Sequence, residues 1–290
     1  CAHFARLYPG AHLFLLVGTD MFWDFFRWKN PEEILSRVRL AVCRRNEGVE
    51  NIEKQQRAFF IRFARKFEVI PYNGEPVSST EIRVRSILGM DYSALVPVGI
   101  TEYIRSHGLY SLPPILQGLS LEKPNRAAHS KRVCLLATEN AARFGADEGK
   151  ALVASALHDV AKNLPEGDER LRGFVPVPVL HQYAGAYVLE HTFSVTDEDV
   201  LNAVRYHTSG RPGMSALEKL VFLSDLLEPG RSFPQIEKLR KLFYEDIDGC
   251  MYESLKYQVE YLRGKGTGIY PLTLQACEYY GKVSENKGVK

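Results

Sequence analysis

What the sequence lacks narrows it first. Its five cysteines, Cys1, Cys43, Cys134, Cys250 and Cys277, contain no CxxC pair. An odd count without a spacing framework argues against a disulfide scaffold and for reduced thiols in a cytoplasm. No apolar run approaches the ~18 to 20 residues that span a bilayer, so no membrane partner is expected. Nothing at the start reads as a signal peptide: Ala11 to Val17 is apolar but short, and Asp20 follows closely. Neither sign of charge dominates, since 37 Lys and Arg face 35 Asp and Glu, a net charge of +2. The global field that would collect nucleic acid is therefore missing, and no nucleic-acid partner is expected. There is no internal repeat and no Ser-His-Asp or Cys-His grouping that would supply a side-chain nucleophile.

What is present is a globular balance, 45% hydrophobic and 25% charged over 290 residues, enough for two ordinary domains. The first part alternates strand and helix signals. Leu13 to Val17, Leu40 to Cys43 and Phe67 to Pro71 fit short buried strands. Pro31 to Leu40 reads as a helix start with Asn30 as N-cap, and Ser78-Ser79-Thr80 precedes a helical stretch through Leu88. That order predicts a parallel α/β sheet over residues 1–112. Prolines 113, 114 and 124 with Gly118 predict a linker over 113–125. Beyond it, over 126–290, only helical periodicity remains. Helices are predicted at 126–143, 147–161, 181–191, 197–207 and 215–227, then near 235–262 and 271–281. Thr196 is expected to start the fourth of these, Ser215 with Glu218 forms a capping box for the fifth, and the tail from Val283 is expected to fray.

Five of the eight histidines fall between 129 and 207. In chain order the notable residues are His129, His158-Asp159, His181, His207 and Asp225, each on or at the end of a different predicted helix. Helices of a bundle can aim such side chains at one point. Imidazole with carboxylate suits a divalent transition metal. Any one His or Asp alone is more often structural, but a charged Asp between Leu157 and Val160 is costly without a partner. Neighbours on a helix point about 100° apart, so His158 and Asp159 reach one centre only near a helix end or through a second metal.

The pattern H…HD…H…H…D resembles HD-domain phosphohydrolases, and the local wording resembles the YqeK group of symmetrical diadenosine tetraphosphate hydrolases. The matching stretches are HSKRV (129–133), ALHDVAK (156–162), LHQYAGAY (180–187), YHTSG (206–210), MSALEKLVFLSDLLEPGR (214–231) and YPLTLQA (270–276). Gln182 departs from the Gly that the family often has. The resemblance implies an all-α HD bundle holding two divalent metal ions, with iron favoured and manganese or others allowed. His129, His158, Asp159 and Asp225 would hold the first metal. His181 and His207 would hold the second, with Asp159 bridging. The implied reaction is hydrolysis of a nucleoside polyphosphate, diadenosine tetraphosphate to two ADP, with metal-activated water as nucleophile. Asp159 and Lys162 are the catalytic candidates. Thr208, Gly210, Arg211 and Arg231 are the substrate-binding candidates, although a lysine at a helix end or a single arginine is often only a solvated charge. The rival readings are an HD nucleotidase or phosphodiesterase with another nucleotide, and a nucleotide-binding regulator without turnover. A homodimer is open.

GTDMFWDFFRW (18–28), VCRR (42–45), VSSTEIRVRSIL (77–88) and LVPVGITEYIRSHGLY (95–110) resemble the second half of the NadD-type nicotinate-nucleotide adenylyltransferases. The resemblance implies a partial Rossmann-like nucleotidyltransferase sheet. Trp28 would face the pyridine ring of nicotinate mononucleotide, with Thr19 and Asp20 lining the pocket. Ser78, Ser79, Thr80 and Arg83 would meet phosphate at a helix start. That family opens with an HxGH motif that binds ATP, and no HxGH occurs in this sequence. The expectation is a truncated adenylyltransferase part that does not complete adenylyl transfer, with the missing segment before Cys1.

Overall fold

The computed structural model describes residues 1–44, 49–71, 77–174 and 177–288 and divides the chain into two compact units, Cys1–Pro76 and Val77–Lys290. The first unit is built on a three-stranded parallel sheet in the order β1 (Phe14–Gly18), β2 (Arg39–Arg44), β3 (Glu68–Pro71). The register sets Val17 opposite Val42, and Val42 opposite Val69. The central strand buries Leu40, Ala41 and Val42 in succession, the continuous apolar run of a parallel strand covered on both faces. Around it lie α1 (Ala2–Leu7), α2 (Thr19–Asp24), α3 (Pro31–Leu35) and α4 (Val49–Phe63). Their core is aromatic: the rings of Phe22, Phe25, Phe59 and Phe67 pack together, with Phe22 and Phe67 centroids 4.4 Å apart. Asn30 does stand before α3, but with φ of 54° and no side-chain cap bond, so Pro31 alone defines the start.

The described residues of the second unit form helices and loops without strands: α5 (Ser79–Ile87), α6 (Ile100–Ser106), α7 (Pro113–Leu119), α8 (Pro124–Asn140), α9 (Glu148–Ala156), α10 (Leu180–Phe193), α11 (Glu198–Arg205), α12 (Ala216–Leu227), α13 (Ile236–Glu245), α14 (Ile247–Gly264) and α15 (Pro271–Gly288). Besides α5, whose cap is Ser78, three helix starts are fixed by their own side chains. Asp147 accepts from the Lys150 N–H, Asp197 accepts from the N–H groups of Asp199 and Val200, and Ser215 with Glu218 completes the capping box. The cap of α11 is thus Asp197, not Thr196. The helix expected over 235–262 is two, broken at Asp246, whose ψ of 98° leaves the helical region. The tail does not fray at Val283, because α15 runs to Gly288.

The expected linker over 113–125 is a correction. Pro113 is the first residue of α7 and Pro124 the first of α8, where a missing N–H costs nothing. Ile115 and Leu119 are buried in the same core as Val84, Ile87 and Leu88 of α5. Prolines that read as a loop signal are here two helix starts. The boundary between compact units consequently falls at 76/77, well before the expected 112. No helix among the described residues is long and apolar enough to cross a membrane.

Candidate metal centre

The second unit brings all six expected ligands together. Helix α9 ends at Ala156, so His158 and Asp159 sit in the turn after it rather than within it. That turn removes the 100° separation a continuing helix would impose. His129 comes from α8, His181 from the first turn of α10, His207 from two residues past the end of α11, and Asp225 from the last turn of α12. Gly185 lets α10 approach this turn: a Cβ there would stand 3.3 Å from the His158 carbonyl oxygen and 3.2 Å from Val204 Cγ1. Three overlapping groups have donor atoms within 4.8 Å of one another: His129-His158-Asp159, His158-His207-Asp225 and Asp159-His181-His207.

The ring nitrogens are assigned by their partners. His158 Nδ1 lies 2.7 Å from the Ser155 carbonyl oxygen and His207 Nδ1 lies 2.7 Å from the Val204 carbonyl oxygen. A carbonyl only accepts, so each Nδ1 carries a hydrogen, and the two Nε2 atoms are turned inward. These two Nε2 atoms and Asp159 Oδ1 are buried and have no hydrogen-bond partner among the described residues. Asp159 Oδ1 lies 3.4 Å from His207 Nε2 and 3.6 Å from His181 Nε2, while its Oδ2 lies 3.7 Å from His158 Nε2. One carboxylate thus faces two sets of imidazoles.

Charge follows from burial. Desolvation holds His158 neutral, its pKa pushed down to about 4. Burial, then the nearby His207 and Lys162, push His181 down to about 2. Burial alone would raise Asp159, but His158, His207 and Lys162 outweigh it and hold the carboxyl below the usual range. The same contest, with the hydrogen bond from His129 foremost among the lowering causes, keeps Asp225 ionised. His129 lies between two carboxylates, with Nδ1 3.0 Å from Glu228 Oε1 and Nε2 2.8 Å from Asp225 Oδ1. A neutral His158 and His181, ionised carboxylates and buried unpartnered donor atoms are what divalent metals require, so these residues fit such ions.

Of the other expected site residues, three border the centre. Lys162 Nζ is 2.8 Å from His181 Nε2 and 3.9 Å from Asp159 Oδ1. Thr208 Oγ1 is 2.8 Å from His181 Nε2, and Arg231 donates to Asp225 Oδ1 at 2.7 Å. Two do not. Arg211 is held bidentate by the buried Glu218 at 2.6 and 2.8 Å and lies over the Tyr206 ring, so its guanidinium is engaged within the fold. Gly210 is buried with φ of +64°, and a Cβ there would meet Ala276 and Leu255, each at 3.4 Å, so its role is conformational.

Several residues of the centre were not singled out from sequence. Arg126 pairs with Asp159 Oδ2 at 3.0 Å. It lies three residues before His129 on α8, and the i, i+3 spacing was the available signal. Glu228, three residues after Asp225, binds His129 and is itself clamped by Arg132 at 2.6 and 3.0 Å. Gln182, noted only as a departure, is fully buried and pins the loop after His207. It donates to Ser209 Oγ at 2.9 Å and accepts the N–H groups of Thr208 and Ser209.

The residues of the adenylyltransferase-like part divide between the units. Thr19 opens α2 and its hydroxyl donates to the Cys43 carbonyl oxygen at 3.4 Å, and Trp28 packs on Phe25 with centroids 5.2 Å apart. Asp20 follows Thr19 in α2, but its side chain and Arg45 lie outside the described residues. Ser78, Ser79, Thr80 and Arg83 belong to the second unit. Ser78 caps α5 by accepting from the Glu81 N–H, and Arg83 donates to Thr80 Oγ1 at 2.9 Å.

Fold and site define an HD-type hydrolase, and the HD domain family matches residues 126–230. The cytidylyltransferase-like family matches residues 3–85. The chain is 38% identical over 159 residues to the symmetrical bis(5'-nucleosyl)-tetraphosphatase of Bacillus subtilis strain 168, covering 51% of this chain and 86% of that protein. It is 31% identical over 268 residues to the Mycoplasma pneumoniae protein named "probable nicotinate-nucleotide adenylyltransferase/Ap4A hydrolase", covering 88% of this chain and 74% of that one. A crystal structure of a "predicted HD superfamily hydrolase involved in NAD metabolism" from Clostridium acetobutylicum superposes with a TM-score of 0.54 at 31% identity, covering 59% of this chain and 96% of that one. The chain belongs to the family of HD-domain symmetrical bis(5'-nucleosyl)-tetraphosphatases, in the form joined to a nicotinate-nucleotide adenylyltransferase-like part.

Proposed function

We propose that this chain hydrolyses diadenosine tetraphosphate symmetrically to two ADP. The observation that carries the reading is the trio of buried, unpartnered donor atoms on His158, Asp159 and His207, in a chain whose relatives bear that hydrolase name. Each buried polar atom without a partner costs about 1–3 kcal/mol, and such atoms persist where a ligand completes them. Two divalent ions suit the set. His129, His158, Asp159 and Asp225 would hold one, and Asp159, His181 and His207 the other. Iron is the favoured metal, with manganese as the alternative. Metals so held supply an activated water and offset phosphate charge.

The side chains do the rest. The carbonyls of Ser155 and Val204 lock two imidazoles with Nε2 inward. Glu228 does the same for His129, and Arg132 holds Glu228. Lys162 and Arg231 stand beside the ligand carboxylates, where they can meet phosphate oxygens; we assign them, with Thr208, to the substrate. The leaving group is itself a phosphate, so cleavage asks for charge neutralisation more than for proton donation. Chromatography of the products tests the reading: two ADP are expected, and ATP with AMP would overturn symmetrical cleavage. For the first unit we propose Thr19, Asp20 and Trp28 as contacts to nicotinate mononucleotide, with calorimetric binding that Trp28→Ala abolishes as the check.

A further inference from the structure

Two clefts open on the metal centre, and they differ in kind. One, of about 310 Å³, is lined by His207, Asp225 and Arg231 together with the rings of Phe233, Tyr257 and Tyr261. The other, of about 600 Å³, is lined by Lys123, Arg126, His129, Arg132 and Arg231 with the single carboxylate of Glu228, and no Phe, Tyr or Trp lines it. Arg231 belongs to both. We infer that the aromatic cleft is the nucleobase site, where one adenine of the substrate stacks on the row Phe233-Tyr257-Tyr261. The far half of the substrate lies over the basic cleft and is held by charge. This rests on the hydrolase reading above.

The rings are already arranged for stacking. Phe233 and Tyr257 lie 4.6 Å apart at 21°, and Tyr257 and Tyr261, one turn apart on α14, lie at 24°. Parallel aromatic faces beside a phosphate-handling centre are what a flat base requires. Tyr261 is 53% exposed where the cleft meets solvent, with Lys265 Nζ over its ring at 5.7 Å. The cleft volume stands at the small end of the roughly 300–1,000 Å³ typical of ligand pockets, which admits one nucleoside and not two. Gln258 also lines it and donates its amide N–H to the Thr208 carbonyl oxygen at 3.0 Å. That bond fixes which end of the amide is nitrogen and leaves Oε1 to accept, a match for the exocyclic amine of adenine.

The test uses the metal-loaded full chain, its Tyr257→Ala and Tyr261→Ala variants, and two probes, ADP and inorganic pyrophosphate, measured by calorimetry. Base stacking lost on truncation corresponds to about tenfold to a hundredfold. ADP binding should weaken by about that factor in Tyr257→Ala and by less in the more exposed Tyr261→Ala, while pyrophosphate binding changes less than about twofold. Tyr257→Phe keeps the ring and should recover most of the ADP affinity, which separates stacking from misfolding. If the parent yields two ADP from diadenosine tetraphosphate yet both Ala variants bind ADP unchanged, the cleft is not the base site and the hydrolase reading stands. If the parent binds ADP in the cleft but cleaves no diadenosine tetraphosphate, the hydrolase reading falls and the cleft assignment survives. Equal loss of ADP and pyrophosphate binding overturns the cleft assignment, and no ADP binding by the parent overturns both.

Discussion

The two compact units both carry residues of chemical interest, and they treat them differently. In the first, Thr19 is bonded to the strand beside it and Trp28 is packed into a cluster of phenylalanines. In the second, the interior holds six titratable side chains aimed at one another, with His158 Nε2, Asp159 Oδ1 and His207 Nε2 left unpartnered. A fold tolerates satisfied polar groups anywhere. It tolerates a buried knot of unsatisfied ones only where a ligand finishes the structure. The contrast therefore points to chemistry in the helical unit more sharply than any single residue does.

The largest expected effect tests that contrast directly. His158→Ala or Asp159→Ala should abolish hydrolysis and lower bound metal, read by product formation and metal analysis of the same preparations. Trp28→Ala, which empties part of the aromatic core of the first unit, should leave hydrolysis near the parental rate. Near-normal turnover in Asp159→Ala, or loss of it in Trp28→Ala, would break the division of labour between the units.

A smaller effect divides the metal centre itself. Asp159 turns one oxygen toward His181 and His207 and the other toward His158. His181→Ala and His207→Ala should each retain about one equivalent of metal and lose turnover on the order of a hundredfold or more, since even partners of ligands cost ten- to a hundredfold. Parental metal content with parental turnover in both variants would leave a single-metal site.

What could be read in advance follows from range. The cluster was legible because residue type and order survive without a structure: H…HD…H…H…D names the same six residues that the helices bring together. Their partners were not, because Arg126 meets Asp159, and Glu228 meets His129, across elements far apart in sequence. The strands of the first unit were legible from short apolar runs and fall within a residue or two of the expected bounds. Pro113 and Pro124 misled because proline at a first helical turn and proline in a loop look alike until the following residues are seen to be buried. The partner of Arg211 was hidden for a related reason. The arginine's position after YHTSG suggested phosphate, while its actual partner, Glu218, lies one loop further on and is buried.

Arg211 and Arg231 offer a gentler comparison. Arg211→Met leaves the carboxylate of Glu218 buried without its partner. That should cost stability, roughly 2–4 kcal/mol, somewhat under the cost of breaking a fully buried pair because Arg211 is a third exposed. Its KM for diadenosine tetraphosphate should stay within about twofold of the parent, the margin of a residue that meets no substrate. Arg231→Ala should do the reverse, raising KM with a smaller change in the denaturation midpoint. A raised KM in Arg211→Met would restore it to the substrate site.

The smallest expected effect is no effect, and it bears on where the helical unit begins. Its core includes Val84, Ile87 and Leu88 of α5, and Ile115 and Leu119 of α7, beside Leu157 and Leu189. The core of the first unit runs from Val17 to Phe67 and shares none of these residues. A chain of residues 77–290 therefore keeps every buried residue of the helical core, and it should unfold cooperatively and hydrolyse diadenosine tetraphosphate at the parental rate. A chain of residues 118–290 discards four of them, Val84, Ile87, Leu88 and Ile115, at about 1.5–3 kcal/mol for each large side chain whose burial is lost. It also uncovers their neighbours on α8 and α9. That total is comparable with the whole stability of an ordinary domain, about 5–15 kcal/mol. The shorter chain should therefore be marginal or unfolded in urea titrations where the longer one shows a sharp transition. Equal stability of the two would mean that α5 and α7 are passengers on the bundle, and the boundary would return to the proline-rich stretch. Loss of turnover in 77–290 would instead show that the first unit supports the metal centre despite its separate core.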